Sequence, residues 1–415
     1  LLSYRSVLDR VGITSAPDEY QRHQRLVRIA LTVLVVSVAT YAILISGFVD
    51  LHVYRTGGYA WLNGIGLYSP DFPGLVPGSP LPFIYPPLSA ILFSPLYLLP
   101  WHLAKFVLTF LSVLGLVATV VVTAYRVYGR RSLALVIGLG VAAAGLVLEP
   151  VRQTINFGQV NLILMGLVTV DCLMPRTRWP RGLLIGLATA IKLTPAVFVL
   201  YFLVRRQYRA AAVSLASFGG FTLAGFALAP GESLKYWFDF LPRTDTTVGV
   251  AYAFNQSYQA ILHRVLDEGL VRSAVWALLV AGTFVLAWIA ARRARAAGDD
   301  VVALLAIACW AVLASPISWS HHWVWVAPAA VILPRTGHRA SALLRGLLVL
   351  LGLIFVVGPH TFLPQLHEAE LQWVWWQHLV GSSYVLVGLG SLIWLALRRP
   401  SGERARTEGA VPNLS

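Results

Sequence analysis

The sequence predicts an all-α polytopic membrane protein with about 12 membrane helices, and three observations carry that prediction. Hydrophobic residues make up 57% of the 415-residue chain and charged residues 12%, with a mean hydropathy of +0.71, so the chain cannot be water-soluble throughout. The apolar residues come in long continuous runs, whereas the strands of an outer-membrane barrel would show short alternating segments. The arginines cluster in short stretches between those runs, as in cytoplasmic loops. The net charge of +14 therefore follows the positive-inside rule and does not call for nucleic acid.

Each element follows from the same two signals. Arg22, Arg25 and Arg28 precede the apolar run 29–47, which puts the start of the run inside and its exit outside. The run shows no small-residue cleavage site and is read as a retained helix, not a signal peptide. Residues 57–87, rich in Gly and Pro, are too broken to span. Segment 88–99 is too short for the roughly 20 residues a crossing needs. If it crossed, Arg126, Arg130 and Arg131 would lie outside, so it is expected to be a juxtamembrane helix. Run 107–125 then goes in, 133–148 comes out, and 160–174 returns to Arg176, Arg178 and Arg181, leaving 149–159 outside.

Run 182–204 has arginines on both flanks, with Arg205, Arg206 and Arg209 after it, so both its ends belong inside. The simplest resolution is a helical hairpin with its tip at Lys192-Leu193-Thr194-Pro195, because Pro195 disfavours a helical conformation at Thr194. Lys192 then reaches membrane depth or the outer surface, facing a cavity. Run 210–229 exits, a long outer loop extends to about residue 270, and 274–291 returns to Arg292, Arg293 and Arg295. Runs 301–314, 323–333, 343–357 and 380–397 complete the alternation, with 315–322 outside. Residues 1–400 read as one integral-membrane domain and 401–415 as a disordered cytoplasmic tail.

With this topology the unusual polar residues collect on the outer side, where several segments supply acid/base and hydrogen-bonding groups to one face. Asp50 sits where the first helix leaves the bilayer, a costly place for a carboxylate without a polar cavity or partner. It reads as a catalytic base, or else as a helix-end carboxylate paired with Arg55. His52 follows it. Tyr85-Pro86-Pro87-Leu88 starts a helix with proline in its first turn and aims Tyr85 at the cavity. Asn156-Phe157-Gly158-Gln159-Val160-Asn161 places three amides around a glycine, and Asn156, Gln159 and Asn161 suit sugar hydroxyls because carboxamides donate and accept, although capping explains one of them. Lys192, alone in an apolar hairpin, calls for snorkelling or an anionic partner such as a lipid phosphate, and the phosphate is favoured.

Asn255 and Gln256 precede Ser257, where a helix cap and a sugar contact are equally good readings. His321 and His322 follow Ser315-Pro316-Ile317-Ser318-Trp319-Ser320, and adjacent side chains point different ways, so at most one faces Asp50. No His/Asp/Glu set has metal-ligand spacing, and Cys172 and Cys309 lie in apolar runs as core residues, so no metal and no cofactor is expected. Trp323 and Trp325 read as interface-belt residues, and His360, His367, Glu368 and Glu370 as a solvated loop.

Taken together, Asp50, Tyr85-Pro86-Pro87-Leu88, the 156–161 amide block, Lys192-Leu193-Thr194-Pro195, Asn255-Gln256-Ser257, and Ser315-Pro316 leading to His321-His322 resemble the GT-C class of membrane glycosyltransferases, specifically glycosyltransferase family 87. The resemblance covers nearly the whole chain. Within the family the chain is similar to the actinobacterial alpha-1,2-mannosyltransferases that elongate phosphatidylinositol mannosides or branch lipomannan. It implies a GT-C fold with outer-face loops carrying juxtamembrane helices, in the cell membrane, with the active site on the non-cytoplasmic face. It implies polyprenyl-phosphate-mannose as donor, a phosphatidylinositol mannoside or another mannosylated lipid as acceptor, an inverting reaction, and Asp50 as base. One histidine of the 315–322 segment is implied as a site residue, His322 or alternatively His321. A membrane lipid or sugar transporter is the rival class, but no partner for the 182–204 hairpin is found in the second half of the chain.

Overall fold

In the computed structural model the long apolar runs become helices, and the described residues are 17–44, 47–74, 81–246, 249–337, 341–365 and 367–398. The expected tail at 401–415 lies outside them. The first half of the chain forms α1 (Pro17–Leu44), α2 (Val49–Leu62), α3 (Pro87–Leu98), α4 (Trp101–Tyr128), α5 (Arg131–Gly145), α6 (Glu149–Phe157), α7 (Asn161–Leu173), α8 (Leu183–Ile191), α9 (Val199–Val204) and α10 (Tyr208–Leu228). The second half adds α11 (Pro230–Lys235), α12 (Tyr258–Val265), α13 (Leu270–Ala296), α14 (Asp300–Ala314), α15 (Val326–Gly337), α16 (Ala342–Val357), α17 (Trp375–Gly381) and α18 (Ser383–Leu397). Among the described residues the sole β pairing is an isolated bridge between Asn255 and Trp319.

Among the described residues three helices, α4, α10 and α13, are individually long and apolar enough to cross a membrane, and the number rises to five if each of two bent pairs is one span. Those pairs are α5 with α6, bent by 71°, and α17 with α18, bent by 67°. The chain is thus an all-helical, multi-pass membrane protein. The segment at 88–99, expected as a short helix off the crossing path, is α3, which begins at Pro87 after an extended Pro86. Proline at the first helical position loses no hydrogen bond there.

The 182–204 run is broken where Pro195 and the arginines demanded it. Helix α8 ends at Ile191, Lys192 is extended, and a 3₁₀ turn over Thr194–Phe198 leads into α9. Both ends of this unit return to the same end of α7. The Asp171 carboxylate accepts from the backbone N–H groups of Gly182 (3.0 Å) and Ile185 (3.1 Å), while the Tyr201 hydroxyl donates to the Cys172 carbonyl at 3.3 Å. Lys192 lies beside Asn161, at the opposite end of α7 and about 17 Å away at 1.5 Å rise per residue. The unit is therefore a hairpin standing along α7 with Lys192 at its tip. Its base is fastened by Asp300, which pairs with both Arg126 and Arg205. Helices α4 and α7 pack closely enough that Gly166 lies against Gly115, the small-residue contact expected between helices that meet in a membrane.

Several sequence expectations change. The long outer loop before residue 270 contains α11, a π turn over Tyr236–Phe240, a 3₁₀ turn over Leu241–Thr246 and α12. The solvated loop at 360–370 is half wrong: His367 and Glu368 are exposed, but His360 and Glu370 are buried. Trp323, expected at the membrane interface, is buried and donates its indole N–H to the Gln256 carbonyl at 3.1 Å. Cys172 is buried as expected, and Cys309 is half-buried against the Gly388 carbonyl.

Candidate active site

Asp50 lies in the first turn of α2, where the helix dipole favours a carboxylate. The start of the helix is fixed from outside, since Phe48 takes a left-handed conformation and donates its backbone N–H to the Asn156 carbonyl at 2.7 Å. Tyr54, one turn after Asp50, falls on the same face. It is wholly buried, and its hydroxyl lies 3.2 Å from that of Tyr85 and donates to Gln159 Oε1 at 2.8 Å. Tyr85 arrives from just before α3, its backbone held by the Tyr68 hydroxyl at 2.5 Å.

Gln159 joins these groups. Its Nε2 donates to Asp50 Oδ1 at 2.6 Å and lies 3.1 Å from the Tyr85 hydroxyl, and the Val160 N–H donates to the Tyr54 hydroxyl at 3.3 Å. The tight turn between α6 and α7 that delivers Gln159 depends on Gly158, whose φ of +67° is left-handed and where a Cβ would meet Leu51 at 2.9 Å. Among the described residues, Gln159 is the one side chain that hydrogen-bonds the Asp50 carboxylate.

Two residues further on, Asn161 opens the second half of the cluster. Its Oδ1 accepts from Lys192 Nζ at 3.0 Å, and its Nδ2 donates to the His321 carbonyl at 3.0 Å. Lys192 Nζ also lies 3.2 Å from His322 Nε2 and 5.7 Å from the centre of the Tyr85 ring, which ties the two halves together. Asp50, Lys192 and His322 are each partly exposed, while Tyr54, Tyr85, Gln159 and Asn161 behind them are buried. The groups able to do chemistry face an opening, and the groups that hold them are packed away.

Burial pushes the Asp50 carboxyl up to about 7, against the opposing pull of the Lys192 charge and the Gln159 hydrogen bond. Burial and the Lys192 charge hold His322 well below the ordinary imidazole range, so it is neutral and can accept the Lys192 hydrogen bond at Nε2. A carboxyl poised near neutrality beside a fixed ammonium is suited to taking a proton while the cation meets an anion. Beyond His322 and Asn161 a small cleft of about 60 Å³ continues between α7, the hairpin turn and the end of α14, with Leu164, Val168, Phe198 and Val312 among its walls.

The structure thus brings together Asp50, Tyr85, Gln159, Asn161, Lys192 and His322. It places the other candidates around them. His52 stacks on Trp101, with ring centres 4.1 Å apart. Arg55 donates to the Leu99 and Tyr97 carbonyls and not to Asp50. Asn156 contributes its backbone to Phe48 and its amide to Gln153. The His321 ring packs edge-on to Phe157. Asn255 and Gln256 are buried braces: the Asn255 amide donates to the Val250 and Pro316 carbonyls and accepts from the Ser318 N–H, and the Gln256 amide donates to the Ala253 and Gly381 carbonyls. Ser257 alone caps α12, accepting from the Ala260 N–H at 3.2 Å. Among the described residues no three His, Cys, Asp or Glu side chains are grouped as for a metal ion. Sequence reasoning missed Tyr54, although its place four residues after Asp50 was a usable signal.

Comparison with known proteins decides the family. The sequence pattern of glycosyltransferase family 87 matches residues 83–316, more than half of the chain. The chain belongs to glycosyltransferase family 87. The family 87 match takes in Tyr85, the amide block, Lys192, Asn255 and Gln256 and leaves Asp50, His52, His321 and His322 outside it. Curated relatives span more. The chain is 40% identical over 385 residues, 88% of each chain, to the polyprenol-phosphate-mannose-dependent alpha-(1-2)-phosphatidylinositol mannoside mannosyltransferase of Mycobacterium tuberculosis. It is 37% identical to the protein of the same name from Mycolicibacterium smegmatis, over 88% of each chain. A phosphatidylinositol pentamannoside mannosyltransferase of Mycolicibacterium smegmatis is 35% identical over 93% of this chain and 95% of its own. No solved structure matches this family 87 chain.

Proposed function

We propose that this family 87 member is a membrane mannosyltransferase that moves mannose from polyprenyl-phosphate-mannose to the 2-hydroxyl of a mannose on a phosphatidylinositol mannoside, forming an alpha-1,2 linkage with inversion. The relatives' names supply the donor and acceptor classes. The observation that carries the chemistry is the Asp50–Gln159–Tyr85 and Lys192–Asn161–His322 constellation, a candidate base and a fixed cation at one opening. Asp50 takes the proton from the acceptor 2-hydroxyl as that oxygen attacks C1 of the donor mannose. The C1–O bond to phosphate breaks on the opposite face, so a beta-linked donor becomes an alpha-linked product. Lys192 stabilises the polyprenyl phosphate as negative charge develops on it, and His322 and Asn161 orient the ammonium. The apolar cleft beside His322 suits the first isoprene units of the donor.

In this reading the protein lies in the cell membrane with the arginine-rich ends of α4, α7 and the hairpin base on the cytoplasmic side and Asp50 on the other. The positive-inside rule supports that orientation. Polar loops with short helices then lie on the outer face, and the bent and short helices bring the expected count of about 12 membrane helices within reach. The test is transfer by purified protein. Asp50→Asn should lower turnover about 10²- to 10⁴-fold with donor and acceptor both saturating, and unchanged turnover would remove Asp50 from the role of base. Linkage analysis of the product decides alpha-1,2 against any other bond.

A further inference from the structure

Glu149 is a buried carboxylate for which the reaction above has no use. It sits in the first turn of α6 with no exposed surface. Its Oε1 accepts from the Ser320 hydroxyl at 2.7 Å and its Oε2 from the Tyr384 hydroxyl of α18 at 2.8 Å. His360 Nε2 stands 3.7 Å from Oε1, and Gly358, with a φ of +64°, lies so close that a Cβ there would meet Glu149 Cγ at 2.8 Å. Three segments far apart in sequence therefore close around one side chain.

A buried carboxylate is an expensive way to join helices, because apolar side chains of similar volume usually do as well or better. What it provides here is direction. Ser320 immediately precedes His321 and His322, and this short segment is held at two further points, one of them from α6. The Thr154 hydroxyl donates to the His321 carbonyl at 3.1 Å, and the Ser320 N–H donates to the carbonyl of Phe254, whose ring packs edge-on to that of His360. The backbone leading into His322 is thus clamped at Ser320 and at His321, and the His322 ring beyond the clamp meets Lys192 at 3.2 Å.

We propose that Glu149, acting through Ser320, is a positioning residue that sets the His322 imidazole against the Lys192 ammonium. The inference rests on the proposed role of that pair at the donor phosphate. A group held this way is worth more than its hydrogen bond, since displacing a reacting or orienting group by about 1 Å can cost as much as 10²-fold in rate.

The experiment is steady-state kinetics of the purified full-length protein with polyprenyl-phosphate-mannose and a phosphatidylinositol mannoside, on Ser320→Ala, Glu149→Gln, Tyr384→Phe, His322→Ala and the Ser320→Ala/His322→Ala double variant. Ser320→Ala is expected to lower kcat/KM for the donor roughly 10- to 100-fold while the acceptor KM stays unchanged. In the His322→Ala background the same change should cost no more than about twofold, because its target is gone. Glu149→Gln can still accept from Ser320 through its amide oxygen and donate to Tyr384, so it should keep most of the donor kcat/KM. Tyr384→Phe removes the other hydroxyl on the same carboxylate and should lower the thermal midpoint without the donor-specific loss. A Ser320→Ala loss that is fully additive with His322→Ala, or absent, or matched in kind by Tyr384→Phe, overturns the positioning role alone. Wild-type turnover by His322→Ala would overturn the assignment of His322 and this inference with it.

Discussion

Asp50 carries the heaviest claim of any single residue, and its surroundings make that claim pH-dependent. A general base works deprotonated, and burial pushes Asp50 up to about 7, so kcat/KM should climb with pH through about 7. Because the Gln159 hydrogen bond pulls the other way, Gln159→Ala should move that ascending limb to higher pH, a shift that a pH–rate profile reads directly. The same burial has a cost in stability. Between the ordinary carboxylate value of 3.8 and about 7 the folded protein holds a proton that the unfolded chain has released, so stability falls as pH rises across that window. Asp50→Asn should therefore raise the thermal midpoint at pH 8 and leave it nearly unchanged at pH 4, the reverse of what a carboxylate kept for structure would give. Asp50 was legible from sequence as a carboxylate at a helix exit. Its restraints were not, because Gln159 reaches it across 109 residues of chain and is itself met by Tyr85 across 74, and no local pattern reports such contacts.

The element that delivers the cation is the α8–α9 hairpin, and it shows how far element-level reading reaches. Arginines on both flanks and Pro195 were enough to place a turn at Lys192, because the charge rule and proline sterics act locally. The bend of 71° between α5 and α6 escaped the same reading, since an apolar run followed by a polar one looks identical whether the chain continues straight or turns along the surface. The short helices between α10 and α13 escaped it too. They are too short and too polar to show a period, and they are held by contacts made elsewhere, such as the Arg264 guanidinium on the Tyr252 and Asn255 carbonyls. The hairpin also yields a prediction at its base. Asp171 is buried, and its carboxylate accepts from the Gly182 and Ile185 N–H groups and the Trp179 indole. Asp171→Ala strands those donors, which should cost about 1–3 kcal/mol of stability, read as a lower thermal midpoint. The hairpin should loosen with it, so the KM for the donor should rise more than the KM for the acceptor, because Lys192 rides on its tip.

At the scale of the whole molecule the two ends of α7 divide the chemistry. One end carries Asp171, beside Arg181 and close to the Asp300 pairs with Arg126 and Arg205; the other carries Asn161, Lys192 and His322. The basic end has the charge of a cytoplasmic face and the other has the polar groups of the proposed site. The orientation follows from charge alone and so can be tested without any assay of transfer. Asn63, at the end of α2, and Arg176, in the loop after α7, are both exposed and outside the site. Neither native cysteine is fully exposed, since Cys172 is buried and Cys309 half-buried. In intact cells a membrane-impermeant maleimide should label Asn63→Cys and should reach Arg176→Cys only after the membrane is opened. The opposite pattern would turn the molecule over, put Asp50 on the cytoplasmic face, and require the donor to be presented from that side.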